Sequence, residues 1–196
     1  MVNIADHPEL IIKQEVEHLE AFSGFETENQ YSVMTPSGEK LLHAAEESGF
    51  LGRLFLKSHR PLTLRVVDGQ GQVAIEASRD FFWFFSHLHI RDGDGRNLGS
   101  LRRQFSIMVR RFTVEDADGR PVAEVRGPML RPNTFTVYRQ DTPIARITKR
   151  WSSLLKEAFT DADTFRLELL DRNMEPDSAL IVLATAFAID LDFFES

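Results

Sequence analysis

The residues with the most chemical character are cationic. Arg102-Arg103 and Arg110-Arg111 flank Gln104–Val109, and Lys149-Arg150 precedes Trp151, with Arg126 and Arg131 between them in sequence. Guanidinium and ammonium groups at this density suit phosphates, whether of lipid headgroups or of nucleic acid. On a strand, adjacent arginines point to opposite faces, so only alternate ones share a surface. The competing reading is a solvated protein exterior. Phe81-Phe82-Trp83-Phe84-Phe85 is the densest aromatic stretch. Read as a strand, it places rings on both faces, either covered by other segments or set beside arginine at a membrane interface. His87 and His89 fall on one face of the following strand, which gives a metal two ligands and no evident third.

Several chemistries are disfavoured. There is no Gly-x-Ser-x-Gly elbow, no phosphate-binding glycine loop and no His-Glu-x-x-His. No nucleic-acid-binding motif is present either. The expectation is a protein that is not an enzyme, with no cofactor and no small-molecule substrate indicated. The chain has no cysteine, which removes disulfides, thiolate metal sites, cysteine nucleophiles and palmitoylation. Met1–Pro8 holds Asp6 and no basic cluster before an apolar stretch, so a cytoplasmic location is expected, peripheral at the inner face of a membrane if lipid is the partner.

Charge is segregated along the 196 residues. Net charge is −6 over residues 1–30, +7 over residues 31–156 and −8 over residues 157–196. A basic middle can present a cationic face, or the acidic ends can fold back on it. Among the basic residues 18 are arginine and 5 lysine, a bias that hints at a GC-rich genome.

The elements that must position these groups are announced by turns. Thr35-Pro36-Ser37-Gly38, Asp68-Gly69-Gln70-Gly71, Asp92-Gly93-Asp94-Gly95, Asp116-Ala117-Asp118-Gly119 and Gln140-Asp141-Thr142-Pro143 each separate short runs of β-branched or aromatic residues. Asp and Gly populate the positive-φ conformations of tight hairpins. Gly71, Gly95 and Gly119 lie 24 residues apart, too short a period for propeller blades. Five hairpins give about ten antiparallel strands, which close into a barrel or sandwich to remove exposed edges. No linker divides the chain, so a single domain over residues 1–196 is expected, with residues 1–9 flexible.

The C-terminal region differs. Ala179–Ile189 is apolar on every side apart from Thr185 and reads as a helix, with Pro176 before it and Asp177-Ser178 as its cap. A helix without a polar face is buried in protein or in lipid. Its apolar run stops at Asp190, short of a membrane span, so the helix is expected inside the barrel. Trp151–Phe159 forms a short amphipathic helix candidate, and Leu10–Phe22 fits either a helix or an edge strand.

Four stretches together resemble the phospholipid scramblase family. They are Gly24–Tyr31 with Ala44–Glu47; Arg60–Arg65 running into Asp68 and Gly71; Lys149-Arg150-Trp151 with Lys156–Phe165; and Ile189–Ser196. The resemblance covers nearly the whole chain from about residue 10. It implies a Tubby C-terminal-like fold: a closed antiparallel barrel of twelve strands around a central C-terminal helix. It implies calcium-stimulated movement of phospholipid between leaflets, and nucleic-acid binding in some members. The Pro-rich N-terminal segment and palmitoylated cysteines usual in the family have no counterpart here. The family's calcium segment aligns with Asp161–Phe165, making Asp161, Asp163, Glu168 and Asp171 the donors of a weak calcium site. Phe165, Leu167 and Leu169 alternate, which makes the segment a strand rather than a wrapping loop. The expected partner is a phospholipid membrane surface, met by Arg102, Arg103, Arg110, Arg111, Lys149 and Arg150. The alternative is a soluble barrel that binds protein, nucleic acid or a lipid headgroup without moving lipid.

Overall fold

A computed structural model describes residues 2–15, 29–47, 59, 61–150 and 163–194. The described residues form twelve strands. These are β1 (Glu9–Glu15), β2 (Gln30–Met34), β3 (Lys40–Glu47), β4 (Leu62–Asp68), β5 (Val73–Arg79) and β6 (His87–Arg91), then β7 (Asn97–Gln104), β8 (Val109–Asp116), β9 (Pro121–Pro128), β10 (Thr134–Arg139), β11 (Thr142–Arg150) and β12 (Thr164–Leu169). Each pairs antiparallel with its sequence neighbour, and β1 pairs with β12 to close the barrel. Five hairpins account for β2 to β11. The two closing strands, β1 and β12, come from segments with no tight-turn signature.

Three of the tight turns are built alike. Asp68 Oδ1 accepts from the backbone N–H of Gln70 and Gln72 at 3.0 Å each; Asp92 does the same for Asp94 and Arg96, and Asp116 for Asp118 and Arg120. Gly71, Gly95 and Gly119 then take φ of 79°, 81° and 79°, a conformation that costs other residues about 1–2 kcal/mol. The register slips beside each turn, between Val66 and Val67, Ile90 and Arg91, and Val114 and Glu115. Such bulges add to the strand twist that barrel closure requires.

Alternate strand residues face inward, as Leu62, Leu64 and Val66 do on β4 and Phe165, Leu167 and Leu169 on β12. They enclose helix α1 (Pro176–Phe193), which is buried from Ala179 to Asp192. Eighteen residues of helix reach about 27 Å, enough to run from one barrel end to the other. Thr185, its polar exception, donates to Ile181 O at 2.8 Å and so leaves no unpaired hydroxyl in the core.

Several local expectations are corrected. The Asp177-Ser178 cap is not formed: Glu175 is the N-cap without a side-chain hydrogen bond, and Pro176 opens the first turn, where its missing N–H costs nothing. Asp177 instead receives Arg96 at 2.8 and 2.9 Å. Residues 1–9 are not a loose lead where described: Ile4–Asp6 forms a 3-10 turn and Ile4 is buried in the core. Leu10–Glu15 is strand, and the remainder of Leu10–Phe22 lies outside the described residues, as does the Trp151–Phe159 helix candidate. Phe81–Phe85 is not strand but irregular backbone joining β5 to β6.

Candidate functional site

Strand direction sorts every connection to one of two ends. The tight turns and the N-terminus of α1 occupy one end. The opposite end carries the C-terminus of α1 and the connections at residues 80–86, 105–108 and 129–133. The second group is apolar and exposed. Trp83, Phe84, Phe105, Ile107, Met108 and Leu130 are all more than two-thirds accessible, with Leu130 at 96%. The three loops touch one another. Phe85 and Phe105 meet edge-to-face at 6.4 Å between centroids, and Met129 N–H donates to Met108 O at 3.2 Å. Exposed apolar groups clustered in this way mark an interaction surface.

Behind these loops, cations fasten the end of the helix. Arg79 donates to Asp192 at 2.6 Å, and Ser86 donates to the other oxygen of that carboxylate. Burial pushes the Asp192 carboxyl up, while Arg79 opposes the shift. Arg103 reaches Asp192 O at 3.4 Å and lies 4.7 Å from the centre of the Phe193 ring. Arg110 stacks on Phe135 at 4.4 Å and on Phe193 at 5.2 Å, and donates to Pro132 O. Burial alone lowers the Arg110 guanidinium. Lys149 sits 3.8 Å over Phe194 and donates to Asp163 at 2.5 Å. Cations here complement the negative end of the helix dipole as well as the rings. Gly127 gives the stack its room: a Cβ there would lie 2.4 Å from the Phe135 ring.

One turn deeper, Tyr31 donates to Asp190 Oδ2 at 2.8 Å. Among the described residues the other carboxylate oxygen has no hydrogen-bond partner, and burial pushes this group up to about 6.

The outer wall near the loops is different. Arg102 pairs with Glu115 at 3.0 Å and Arg111 with Glu124 at 3.3 Å, while Arg150 is exposed. Register places Arg111 directly opposite Arg126, and Arg126 opposite Thr136. A cavity of about 270 Å³ opens there, lined by Arg111, Arg126, Arg131, Thr134, Thr136 and Tyr138 among others.

The structure therefore splits the six cationic residues singled out from sequence. Arg103, Arg110 and Lys149 turn to the helix end, whereas Arg102, Arg111 and Arg150 face outward, the alternation expected of strands. It does not bring together the described members of the proposed calcium set. Asp163 is engaged by Lys149, Glu168 by Arg166 at 3.4 Å and Arg146 at 3.9 Å, and Asp171 lies beyond the far end of β12 with Arg139 at 3.4 Å. Asp161 lies outside the described residues. The His87 and His89 rings lie 4.1 Å apart between centroids, tilted by 45°, and His87 Nε2 meets Ser100 Oγ at 3.0 Å. Among the described residues no group of three or more metal-ligating side chains converges. Sequence reasoning missed Arg79, Ser86 and Asp192 as one network, Tyr31 and Asp190 as a buried pair beside it, and Thr134, Thr136 and Tyr138 as one wall. The signal for the network and the pair was two acids inside an apolar run. The wall needed the strand register.

Comparison with known proteins fixes the class. The Scramblase family model matches residues 1–196, and the chain belongs to that family. It is 29% identical to human phospholipid scramblase 1 over 96% of this chain and 63% of that protein. It is 27% identical to human phospholipid scramblase family member 5 (95% and 73% covered). It is 26% identical to the altered inheritance rate of mitochondria protein 25 of Saccharomyces cerevisiae (97% and 72% covered). The chain thus spans less than two-thirds of the length of human phospholipid scramblase 1. A crystal structure of an Arabidopsis thaliana protein aligns over 97% of this chain and 96% of its own, with a TM-score of 0.52 and 14% identity. The likeness extends to the fold, a Tubby C-terminal-like barrel around its helix.

Proposed function

We propose that this protein handles phospholipid from the membrane surface, docking with the loop end of the barrel. One observation carries this: nine exposed apolar side chains, Phe81, Trp83, Phe84, Phe85, Phe105, Ile107, Met108, Met129 and Leu130, project from three touching loops. Aromatic rings favour the bilayer interface, and basic side chains behind them favour anionic headgroups. Arg102, Arg111, Arg131 and Arg150 stand outward near this end. The opposite end presents Asp94, Asp118 and Asp141 in its turns, which an anionic membrane repels. The barrel thus has an electrostatic and an apolar direction, and both point the same way. The names of its relatives agree with a phospholipid partner.

Among the described residues no helix is long and apolar enough to cross a membrane, and α1 fills the barrel. The reading is therefore of a docked barrel, not of a helix inserted in lipid. The test is co-sedimentation with phosphatidylcholine vesicles containing phosphatidylserine. Binding should weaken as salt rises. Trp83→Ser with Phe84→Ser should reduce it at least about tenfold, since inserting one large side chain contributes roughly 1.5–3 kcal/mol. A wild-type protein that ignores these vesicles at low salt overturns the reading. Transfer of labelled lipid between leaflets of the same vesicles then asks whether docking leads to scrambling.

A further inference from the structure

The cavity on the outer wall of β8, β9 and β10 has features that barrel stability does not require. Arg111 and Arg126 are direct cross-strand partners, and like charges placed opposite each other destabilise a sheet. Glu124 is shared between them, at 3.3 Å from Arg111 and 2.7 Å from Arg126. Asp141 takes a second contact with Arg126 at 3.1 Å. Hydrogen bonds to these carboxylates hold the Arg126 guanidinium above its ordinary range. Arg126 also lies 4.8 Å from the centre of the Tyr138 ring, which fixes its plane. Arg131, on the loop beside Leu130, makes no ion pair among the described residues. Thr134 and Thr136 complete the lining with hydroxyl donors.

Three guanidiniums and two hydroxyls around one concavity suit a phosphate. Guanidinium forks bind its oxygens in pairs, and hydroxyls take those that remain. Position identifies the source. Val109 and Pro128 line the cavity, and the exposed Met108 and Met129 are their immediate neighbours in sequence. A headgroup phosphate held in this cavity would thus lie next to side chains that enter the acyl region. We propose that Arg111, Arg126, Arg131, Thr134 and Thr136 form a binding site for the terminal, monoester phosphate of an anionic phospholipid, the group that phosphatidic acid carries and phosphatidylserine does not. This rests on the docking reading above and gives it a specific ligand.

The experiment separates a site from diffuse attraction. Vesicles containing phosphatidic acid are matched in surface potential to vesicles containing phosphatidylserine. Phosphatidic acid offers the less hindered phosphate, so the wild type should prefer it. Arg111→Gln with Arg131→Gln should weaken phosphatidic acid binding about tenfold or more. The same change should weaken phosphatidylserine binding only as much as removing two outward charges away from the cavity does, Arg102→Gln with Arg150→Gln, the small effect expected of rim charges. Equal loss on both vesicles, or loss on neither, overturns the site. Soluble dihexanoyl phosphatidic acid, titrated below its micelle concentration, needs no loop insertion. Saturable shifts at Thr134 and Thr136 in its NMR titration would uphold the site even if vesicle docking failed. Their absence would sink the site even if docking held. Inorganic phosphate producing the same shifts at the same concentration would overturn the lipid assignment in favour of free phosphate.

Discussion

At the turn end of the barrel, aspartates fold their carboxylates back onto their own backbone: Asp68, Asp92 and Asp116 each cap two N–H groups. At the loop end, Trp83, Phe84, Ile107 and Leu130 point away from the protein into solvent. One end satisfies its own polar groups, and the other leaves apolar groups unsatisfied. A structure optimised only for stability would not bear the second arrangement, because burying those rings would stabilise it. The contrast separates what the fold needs from what a partner uses. It also divides the arginines. Arg79, Arg103 and Arg110 face the helix end, where they meet Asp192 or aromatic rings; Arg111 and Arg131 face outward.

The comparison breaks most completely in the core that joins the two ends. Leu183 is fully buried in α1. Leu183→Asp places an unpaired charge there, and the loss should exceed about 4 kcal/mol, leaving no cooperative unfolding transition by circular dichroism. A folded, soluble Leu183→Asp protein would disprove the enclosed helix.

Next comes the buried pair at the loop end. Asp192→Ala removes the carboxylate from a buried ion pair in which the Arg79 side chain is 3% accessible, and should cost about 3–5 kcal/mol in denaturant unfolding. If the cost is under about 1 kcal/mol, the pair does not fasten the helix.

Asp190 gives the pH dependence. Its folded value is about 6 against an ordinary 3.8, so between those values the folded chain binds more protons than the unfolded one. Stability should therefore fall as pH rises from about 4 to about 6, by roughly 3 kcal/mol in all, and level off above. Asp190→Asn should flatten that slope while Asp192 and the remaining acids keep theirs. A variant with an unchanged pH profile would show that Asp190 is ionised in the fold.

At the turn end, Gly119→Ala forces a left-handed alanine and should cost about 1–2 kcal/mol. Vesicle binding should not change. The smallest stability effect belongs to the loop tips. Trp83→Ser with Phe84→Ser should move unfolding by no more than about 0.5 kcal/mol per site, yet remove most membrane binding. If those changes unfold the protein instead, the rings serve the fold and the division between the two ends collapses.

Much of the architecture was legible residue by residue. Asp-x-x-Gly turns at a 24-residue period marked three hairpins, because only a few residue types take the required backbone angles. The alternation Phe165, Leu167, Leu169 marked β12, and the featureless apolar run Ala179–Ile189 marked a swallowed helix. The aromatic run at Phe81–Phe85 was conspicuous but misread as strand, because composition does not distinguish a β-rich segment from an apolar loop tip.

What the sequence determined by itself was local: turn types, strand faces, a helix without a polar side, and the family they resemble. Tertiary structure decided which residues meet across distance. It set Arg79 against Asp192, 113 positions apart in sequence, and Arg111 opposite Arg126. It also gathered three separate apolar loops at one end. Those outcomes depend on strand register and barrel closure, which are global properties: a one-residue slip reverses every side chain. No short window of sequence holds that information.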